Sequence, residues 1–444
     1  MSNPKISPTF LSVLDQSNSD SKQDAIVIYN SQRPPEEMPS RGDERRLQVI
    51  QQQSQENAPV VAKMSMDYES STGQSLNATQ VGSGALPVAA VEVTKNTLPA
   101  LAEQPEVIAI IPNQKIKLIQ PKQVNYSDLM TEEKQQKMTW GLQVLEIAKM
   151  WECTKGKGVK VAVLDTGVYS EHPALKDRVK DFIVVDPHGR RITATPHFDA
   201  GEHGTHVCGT IAGGKTETGV SIGVAPEADL LAGGVLIGNA TLQTLVEGMT
   251  WAIEKGANII NMSLGLMYYE PLFAQVFDMI LNQFDVLPVV AIGNENHGNT
   301  SSPGSAFNAF SVGAVEKLSE QKDDMGIAFF SSGASLVFPQ DAPNNWVTKP
   351  DVSAPGAQIY SCVPPVQQPD GVRQYTYMDG TSMATPHVAG VVALLMAAKP
   401  DAPISEIIKA LKETAYHPGG EEMRPDNRWG WGCIQPVKAL EALK

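Results

Sequence analysis

Basic residues are scarce in this sequence. The 444 residues include 35 Lys and Arg against 49 Asp and Glu, which gives a formal charge of −14. Nucleic-acid binding needs clustered Lys and Arg to neutralise phosphates, so this balance excludes nucleic acid as an expected partner. Hydrophobic residues at 42% and charged residues at 19% are typical of a globular protein.

Cysteines are few and widely spaced. The four are Cys153, Cys208, Cys362 and Cys433, and their spacing fits neither a metal cluster nor a dense disulfide framework. No apolar run approaches the roughly 20 residues that span a membrane. The N-terminus also has no basic segment followed by an apolar core. We therefore expect no membrane partner and a cytoplasmic protein with reduced cysteines, with export by a leaderless route left open.

The first 119 residues predict a disordered tail and a small domain. Residues 1–23 are polar and rich in Ser, Asn and Asp, which is typical of disorder. The pattern that follows, over 24–119, predicts the order β-α-β-β-α-β of a ferredoxin-like α+β unit. Its expected strands are 24–31, 58–66, 85–93 and 107–119, and its expected helices are 44–53 and 96–104.

The rest of the chain predicts a linker and a larger α/β domain. Residues 120–139 are charged and polar, and indicate a linker or an exposed helix. From residue 140 to residue 444, nearly continuous apolar strands alternate with helical segments. This alternation predicts a doubly wound, mainly parallel sheet with helices on both faces.

Three polar residues of the larger domain stand at the ends of predicted elements. Asp165 follows the buried strand VKVAVLD, where open α/β sheets bind ligands. His203 begins the helix HGTHVCGTIAG, and Ser382 begins a long apolar helix. A serine nucleophile needs a base to take its proton and a carboxylate to hold that base. Each residue alone is also explained as a cap, a turn residue or a packed side chain.

Together the flanking sequences resemble those of the subtilisin-like serine proteases, or subtilases. The resemblance rests on VAVLDTG, HGTHVCGTIAG, VAIGNEN and GTSMATPHVAG, in the chain order Asp, His, Ser. It is supported by WGLQVLEIAKMW and KPDVSAPG and covers about 140–444. It implies a serine endopeptidase that acts through an acyl-enzyme, with Asp165, His203 and Ser382 as the catalytic triad.

The resemblance also implies further site residues. Asn294 and the backbone N–H of Ser382 would form the oxyanion hole. Residues Ser263, Leu264 and Gly265 would pair with an extended polypeptide substrate, and Glu295 would line the cleft. No cofactor is expected for the chemistry and no metal site is predicted. A structural calcium near 213–223 stays an open alternative, because that segment lacks the expected Asn or Asp.

Three other polar residues in the motifs are expected to pack in the interior. His206 follows His203 by one helical turn, but no third ligand completes a zinc site. His387 is expected to support the helix of Ser382. Cys208 is expected to be a small buried residue, with a reactive thiol as the alternative.

In subtilases a ferredoxin-like propeptide often precedes the peptidase domain. The resemblance therefore implies a self-processing zymogen, in which 24–119 is an intramolecular inhibitor and KIKLIQPK near 115–122 occupies the cleft. A permanently attached accessory domain is the alternative. For the whole chain, the alternatives are a dedicated precursor-processing protease of narrow specificity and a non-catalytic peptide-binding scaffold.

Overall fold

A computed structural model describes residues 3–30, 45–124, 127–270, 273–319, 324–337, 346–369 and 371–443. The helices are α1 (Pro8–Asp15), α2 (Arg45–Thr72), α3 (Leu98–Ala102), α4 (Ser127–Gln136), α5 (Trp140–Val144), α6 (Ile147–Met150), α7 (His203–Ala212), α8 (Leu242–Glu254), α9 (Phe273–Phe284), α10 (Thr381–Ala398), α11 (Ile404–Glu413) and α12 (Pro436–Ala442). Two short 3-10 helices lie at Pro173–Leu175 and Glu421–Met423.

The strands of the N-terminal part are β1 (Gln23–Tyr29), β2 (Thr79–Gln80), β3 (Val88–Val93), β4 (Val107–Pro112), β5 (Lys117–Leu118) and β6 (Lys122–Val124). Those of the larger domain are β7 (Lys160–Asp165), β8 (Val179–Val185), β9 (Arg191–Ile192), β10 (Asp229–Gly234), β11 (Ile259–Met262), β12 (Leu264–Gly265), β13 (Leu287–Ala291), β14 (Phe310–Lys317), β15 (Met325–Ile327), β16 (Ala334–Val337), β17 (Trp346–Lys349), β18 (Val352–Pro355), β19 (Ile359–Gln368) and β20 (Gly371–Asp379).

The N-terminal unit is an antiparallel four-stranded sheet in the order β2-β3-β1-β4. Both faces of its central strand β1 are buried. Val27 and Tyr29 pack into the unit's own core with α1 and α2. Ile26 and Ile28 point the other way and join a cluster that includes α8 of the larger domain. The sheet is therefore held to the larger domain by apolar contacts over one face.

Two predictions for the N-terminal unit are wrong. The predicted disordered tail contains helix α1, whose Phe10 and Leu14 are buried against the sheet. Residues 58–66, predicted as a strand, continue helix α2, and the short β2 takes the place of that strand. The buried side chains of Val60, Met64 and Tyr68 recur every four residues, which is the helical spacing. The element order β-α-β-β-α-β nevertheless occurs after α1.

The larger domain is built on a nine-stranded sheet. Its path runs β15-β14-β13-β11-β7-β10-β8-β9, and β18 also pairs with β14. The pairs of β7 with β10 and β11 are parallel, as are those of β13 with β11 and β14. Helices α7 and α10 cover one face, and helices α8 and α9 cover the other. This confirms the predicted doubly wound sheet.

A long hairpin of β19 and β20 lies beside this sheet, and sequence analysis did not predict it. Strand β6 adds to the edge of β20, so residues 122–124 are part of a three-stranded sheet. Helix α4 follows in residues predicted to form a linker or an exposed helix.

Helix α10 is the central helix of the larger domain. By length and apolar composition, Thr381–Ala398 could cross a membrane, but 89% of those residues are buried inside the protein. Its apolar surface is therefore already covered by the sheet and neighbouring helices.

Candidate active site

Asp165 and His203 are hydrogen-bonded at the carboxyl end of the central strand β7. Asp165 is fully buried, and its Oδ1 lies 2.8 Å from Nδ1 of His203. Its Oδ2 lies 3.0 Å from the same nitrogen. This contact orients the ring and leaves Nε2 as the other ring nitrogen. Nε2 is buried and has no hydrogen-bond partner among the described residues.

A second carboxylate, Asp199, fixes the start of the helix that carries His203. Its Oδ2 accepts from the backbone N–H of Thr205 at 2.7 Å and from the Thr205 hydroxyl at 2.6 Å. Its Oδ1 accepts from the Thr166 hydroxyl at 2.6 Å. Thr166 in turn accepts from the N–H of Gly204 at 2.9 Å. Negative charge is favourable at a helix N-terminus, so Asp199 stabilises the position of His203.

Asp199 and Thr166 were not among the predicted site residues. Asp199 precedes His203 by four residues in a segment without regular periodicity, so no pattern distinguished it from a surface residue. Thr166 belongs to the motif VAVLDTG, and its place directly after Asp165 was the available signal.

Ser382 lies in the first turn of α10 and is fully buried. Its Oγ donates a hydrogen bond to the carbonyl oxygen of Ile119 at 2.9 Å. Its own carbonyl accepts from the Ser263 hydroxyl at 3.1 Å. Ile119 lines the same cleft as His203 and Asn294. Ser382 is joined to this cleft by its contact with Ile119, and Asp165 by its contact with His203.

Asn294 is held with its amide nitrogen directed into the cleft. Its Oδ1 accepts from both the backbone N–H and the hydroxyl of Thr381, each at 2.9 Å. Its Nδ2 donates to the carbonyl oxygen of Gln120 at 3.1 Å. Thr381, which sequence analysis also missed, thereby orients the amide. The amide is placed to donate to a carbonyl or an oxyanion beside Ser382.

The cleft encloses about 840 Å³, and residues 116–121 of the chain itself line it. Strand β5 pairs antiparallel with β12, so that Leu118 lies opposite Leu264 and Lys117 opposite Gly265. Added Cβ atoms at Gly265 would lie 2.3 Å from the carbonyl oxygen of Ser302. A side chain at that position would therefore displace the backbone.

The other predicted cleft residues have different surroundings. Ser263 lies behind the edge and holds the Ser382 carbonyl, as described above. The Oε2 atom of Glu295 accepts from the hydroxyls of Ser301 at 2.9 Å and Ser332 at 3.2 Å. Glu295 lines the cleft beside Asn294, so it supplies a carboxylate near the bound chain.

Two histidines and a cysteine near the site are packed in the interior. His206 is fully buried, its Nε2 lies 3.1 Å from the Ile359 carbonyl, and burial lowers its pKa to about 3. Burial lowers the pKa of His387 to about 4, and its Nδ1 lies 2.8 Å from the Met383 carbonyl. Both rings are therefore neutral at pH 7. Burial raises the pKa of the Cys208 thiol, which disfavours the reactive thiolate.

The described part of the chain contains no group of three or more His, Cys, Asp or Glu side chains that could hold a metal ion. Calcium is also bound by backbone carbonyls. In 213–223 the structure shows polar contacts such as the 3.0 Å hydrogen bond between the Thr216 and Thr218 hydroxyls. These contacts do not test calcium binding by backbone carbonyls, so a structural calcium in 213–223 stays an open alternative.

The sequence is similar to a family of serine proteases and to individual members of it. The model of the subtilase family matches residues 156–432. The chain is 37% identical over 283 residues to an intracellular serine protease of Paenibacillus polymyxa, covering 61% of this chain and 77% of the relative. It is 33% identical over 308 residues to thermitase of Thermoactinomyces vulgaris, covering 68% of this chain and 95% of that enzyme.

A solved structure is similar over almost the whole chain. The crystal structure of fervidolysin from Fervidobacterium pennivorans, a keratinolytic enzyme related to subtilisin, matches with a TM-score of 0.67 and 25% identity. The match covers 95% of this chain but only 61% of fervidolysin, so the chain spans less than two thirds of that protein. With the family match over most of the larger domain, these findings show that the chain belongs to the subtilase family and is a subtilisin-like serine peptidase.

Proposed function

We propose that the protein is an endopeptidase in which Ser382 is the nucleophile, His203 the base and Asp165 the residue that orients the base. The observation that carries this assignment is the 2.8 Å contact between Asp165 and His203, because His203 lines the same cleft as Ile119, the residue that Ser382 contacts. Asn294 would donate to the oxyanion with the backbone N–H of Ser382.

The proposed reaction has two halves. Ser382 Oγ attacks the scissile carbonyl carbon while its proton passes to Nε2 of His203. His203 then protonates the leaving amine, which departs and leaves an acyl-enzyme on Ser382. Water, deprotonated by His203, attacks the acyl carbon and releases the carboxylic acid and free Ser382. This role is supported by Nε2 of His203, which is buried and has no hydrogen-bond partner among the described residues.

We further propose that the N-terminal unit inhibits this site before processing. Its support is the seating of residues 116–121 in the cleft, where β5 pairs with β12 as an extended substrate would. The contacts of two successive carbonyls favour slow self-cleavage. Ser382 contacts the carbonyl of Ile119, whereas Asn294 holds that of Gln120. A productive complex requires both groups to act on one carbonyl.

The test is the intact mass of the purified chain during incubation, compared with the Ser382→Ala variant. A self-processing zymogen loses about 115–140 N-terminal residues only when Ser382 is present, as expected for cleavage in or after the seated segment. Equal shortening of both proteins would assign the cut to a contaminant. If neither protein shortens while the intact wild type hydrolyses peptides, the N-terminal unit is a permanent accessory domain.

A cytoplasmic location is also part of the proposal. It is supported by the name of the Paenibacillus polymyxa relative, an intracellular serine protease. All four cysteines are free, as expected in a reducing compartment. Fractionation of the source cells, with immunodetection of the chain, tests this. Recovery mainly in the medium would contradict it.

A further inference from the structure

Helix α4, which follows the segment seated in the cleft, is attached to the larger domain by a buried carboxyl group. Among residues 129–136, only Glu133 is buried, with 1% of its surface exposed. The neighbouring Lys134, Gln135 and Gln136 are exposed. A glutamate is rarely buried without strong partners, so its contacts determine how this helix is held.

Glu133 has two hydrogen-bond donors, one from each of two elements. Its Oε2 accepts from the Tyr377 hydroxyl at 2.6 Å. Its Oε1 accepts from the backbone N–H of Trp140 at 2.8 Å. The adjacent Glu132 forms an ion pair with Lys317 of β14 at 2.6 Å. These contacts attach α4 to the core sheet and to the β19–β20 hairpin.

Tyr377 contacts both helix α4 and strand β6. Its hydroxyl binds Glu133, and its backbone in β20 pairs with Val124 of β6. Asp379 of the same strand pairs with Lys122, and Ser382 follows three residues later. We call β6 (Lys122–Val124) and α4 (Ser127–Gln136) together the strap. The strap covers the β20 edge on the leaving-group side of Ser382, the side opposite to β5 and β12.

We propose that the strap stays on the peptidase domain after the chain has been cut in 115–121, and that the protease becomes active only when the Tyr377–Glu133 contact opens. This rests on the proposed function and deepens it by naming a second step in activation. A cut separates the strap from the N-terminal unit but breaks none of the strap contacts, because these lie beyond the cut. The leaving side of a polypeptide substrate needs the β20 edge that the strap covers.

Retention of the strap also opposes the cut itself. The new amino group at the start of a retained strap remains beside the acylated Ser382. It can attack the acyl carbon, re-form the peptide bond and return the proton through His203, in competition with water. Hydrolysis becomes effectively irreversible when the strap undocks and carries the new amino group away from Ser382.

The charge of Glu133 makes this step sensitive to pH. Burial raises its pKa to about 7, and the hydrogen bonds from Tyr377 and Trp140 offset that only in part. Four titratable groups surround it: Tyr377, Tyr360, Glu132 and Lys317. A carboxyl whose pKa is raised in the docked state favours docking while protonated. Strap docking therefore weakens as the pH rises from about 4.5 through 7, and levels off above that.

The experiment separates docking from catalysis. In a Ser382→Ala background, the full chain is nicked briefly with trypsin at the exposed Lys115 and Lys117, and the trypsin is then inhibited. Hydrogen exchange, read by mass spectrometry, reports the protection of strap amides. The variants are Glu133→Ala, which removes both hydrogen bonds, and Glu133→Gln, which mimics the protonated carboxyl. Lys134→Ala on the same helix is the control.

We expect the nicked chain to keep strap protection, and to lose about threefold or more of it between pH 6 and pH 8.5. Glu133→Ala should be unprotected at both pH values, Glu133→Gln protected at both, and Lys134→Ala unchanged. Loss of strap protection on nicking alone, or equal protection in Glu133→Ala, overturns the proposal. Because Ser382 is absent, these outcomes do not depend on the proposed catalysis.

With Ser382 present, peptidase activity and the fraction of cut chain are measured over the same time course. The proposal expects activity to lag behind cutting in the wild type, and the lag to vanish in Glu133→Ala. Activity that rises in step with the cut in the wild type contradicts it. An uninhibited, nicked Glu133→Ala chain that hydrolyses no peptide instead contradicts the proposed function.

Discussion

The hydroxyl of Ser382 donates its hydrogen bond to the carbonyl oxygen of Ile119, 2.9 Å away. The base that would take this proton, Nε2 of His203, has no hydrogen-bond partner among the described residues. The seated segment therefore engages the nucleophile through a carbonyl oxygen, while the amide of Asn294 engages the next carbonyl along the chain. Catalysis requires Ser382 and Asn294 to act on the same carbonyl group, but here they contact two different ones.

This arrangement predicts that the seated segment inhibits the processed enzyme when it is added as a separate peptide. A peptide of residues 115–124 should compete with substrate, because β5 and β6 pair with strands on both sides of Ser382. It should also be cleaved slowly. Steady-state inhibition kinetics with a scrambled peptide as control check this. Rapid cleavage of the 115–124 peptide, at the rate of ordinary substrates, contradicts the inhibitory arrangement.

Replacement of Asn294 by Ala should lower kcat by about 10² to 10³, the scale found for the equivalent donor in subtilisin itself, with little change in KM. Thr381→Val should have a smaller effect in the same direction, about tenfold, because Thr381 orients the amide without contacting substrate. Kinetics of both variants with one peptide substrate check this. A raised KM with an unchanged kcat would show that Asn294 binds the substrate rather than the oxyanion.

The carboxylate of Glu295 should favour a basic side chain before the scissile bond. Glu295→Gln is expected to reduce the preference for Lys over Met at that position by about fivefold, as for a solvated charge pair. The matched control is Glu227→Gln, which does not line the cleft. Profiling with a peptide library checks the change, and also separates a broad endopeptidase from a protease of narrow specificity. An unchanged Lys/Met ratio contradicts a role for Glu295 in selection.

A buried ion-pair cluster that does not line the cleft should set part of the stability. Asp351 Oδ2 lies 2.7 Å from Nζ of Lys349, and Oδ1 lies 2.7 Å from Nζ of Lys412. Burial alone raises the pKa of Asp351, but the two lysines outweigh it and hold that pKa well below its usual range. Asp351→Asn leaves the buried Lys349 without its anion, and should cost about 3–5 kcal/mol of unfolding free energy at pH 7.

The sign of the pH effect follows from the lowered pKa. The contribution of Asp351 is fully present above the unfolded-state pKa of about 4 and is lost progressively as the pH falls from there through the lower pKa of the folded state. The difference in unfolding free energy between the wild type and Asp351→Asn, measured with urea, should therefore be largest at pH 7 and begin to narrow between about pH 4 and pH 3. Lys409→Ala, on the exposed side of the same helix as Lys412, is the control. A difference that stays constant from pH 7 to pH 3 contradicts this account.

Much of the larger domain was predictable from sequence, because its strands are buried on both sides. Leu242, Leu245, Val246, Met249 and Ile253 recur at helical spacing in the sequence, and all five are buried on α8. Asp165 and Ser382 stand where a buried strand ends and a buried helix begins, and such boundaries are visible in one sequence. The pairing of Asp165 with His203 was implied by the resemblance of their motifs to those of the subtilases.

The misses have physical causes. Val60 and Val61 favour strands intrinsically, but burial at helical spacing along α2 outweighed that preference. Residues 1–23 are mostly polar, so the composition did not indicate a helix there. Phe10 and Leu14 are the two residues of α1 that are buried. Glu133 appeared as one charge among many in a polar stretch, since its partner Tyr377 lies 244 residues away. Contacts at that separation leave no local pattern.

The central claim is that Ser382 is a nucleophile activated by His203 and Asp165, and a serine-directed fluorophosphonate tests it most directly. The chain, nicked in 115–121 and freed of the strap with the Glu133→Ala change, is incubated with the probe and analysed by intact mass and peptide mapping. The account predicts one adduct, on Ser382, formed about 10⁴-fold more slowly in Asp165→Asn and not detected in His203→Ala. No adduct on Ser382, or equal labelling in all three proteins, would contradict the account and leave a peptide-binding scaffold.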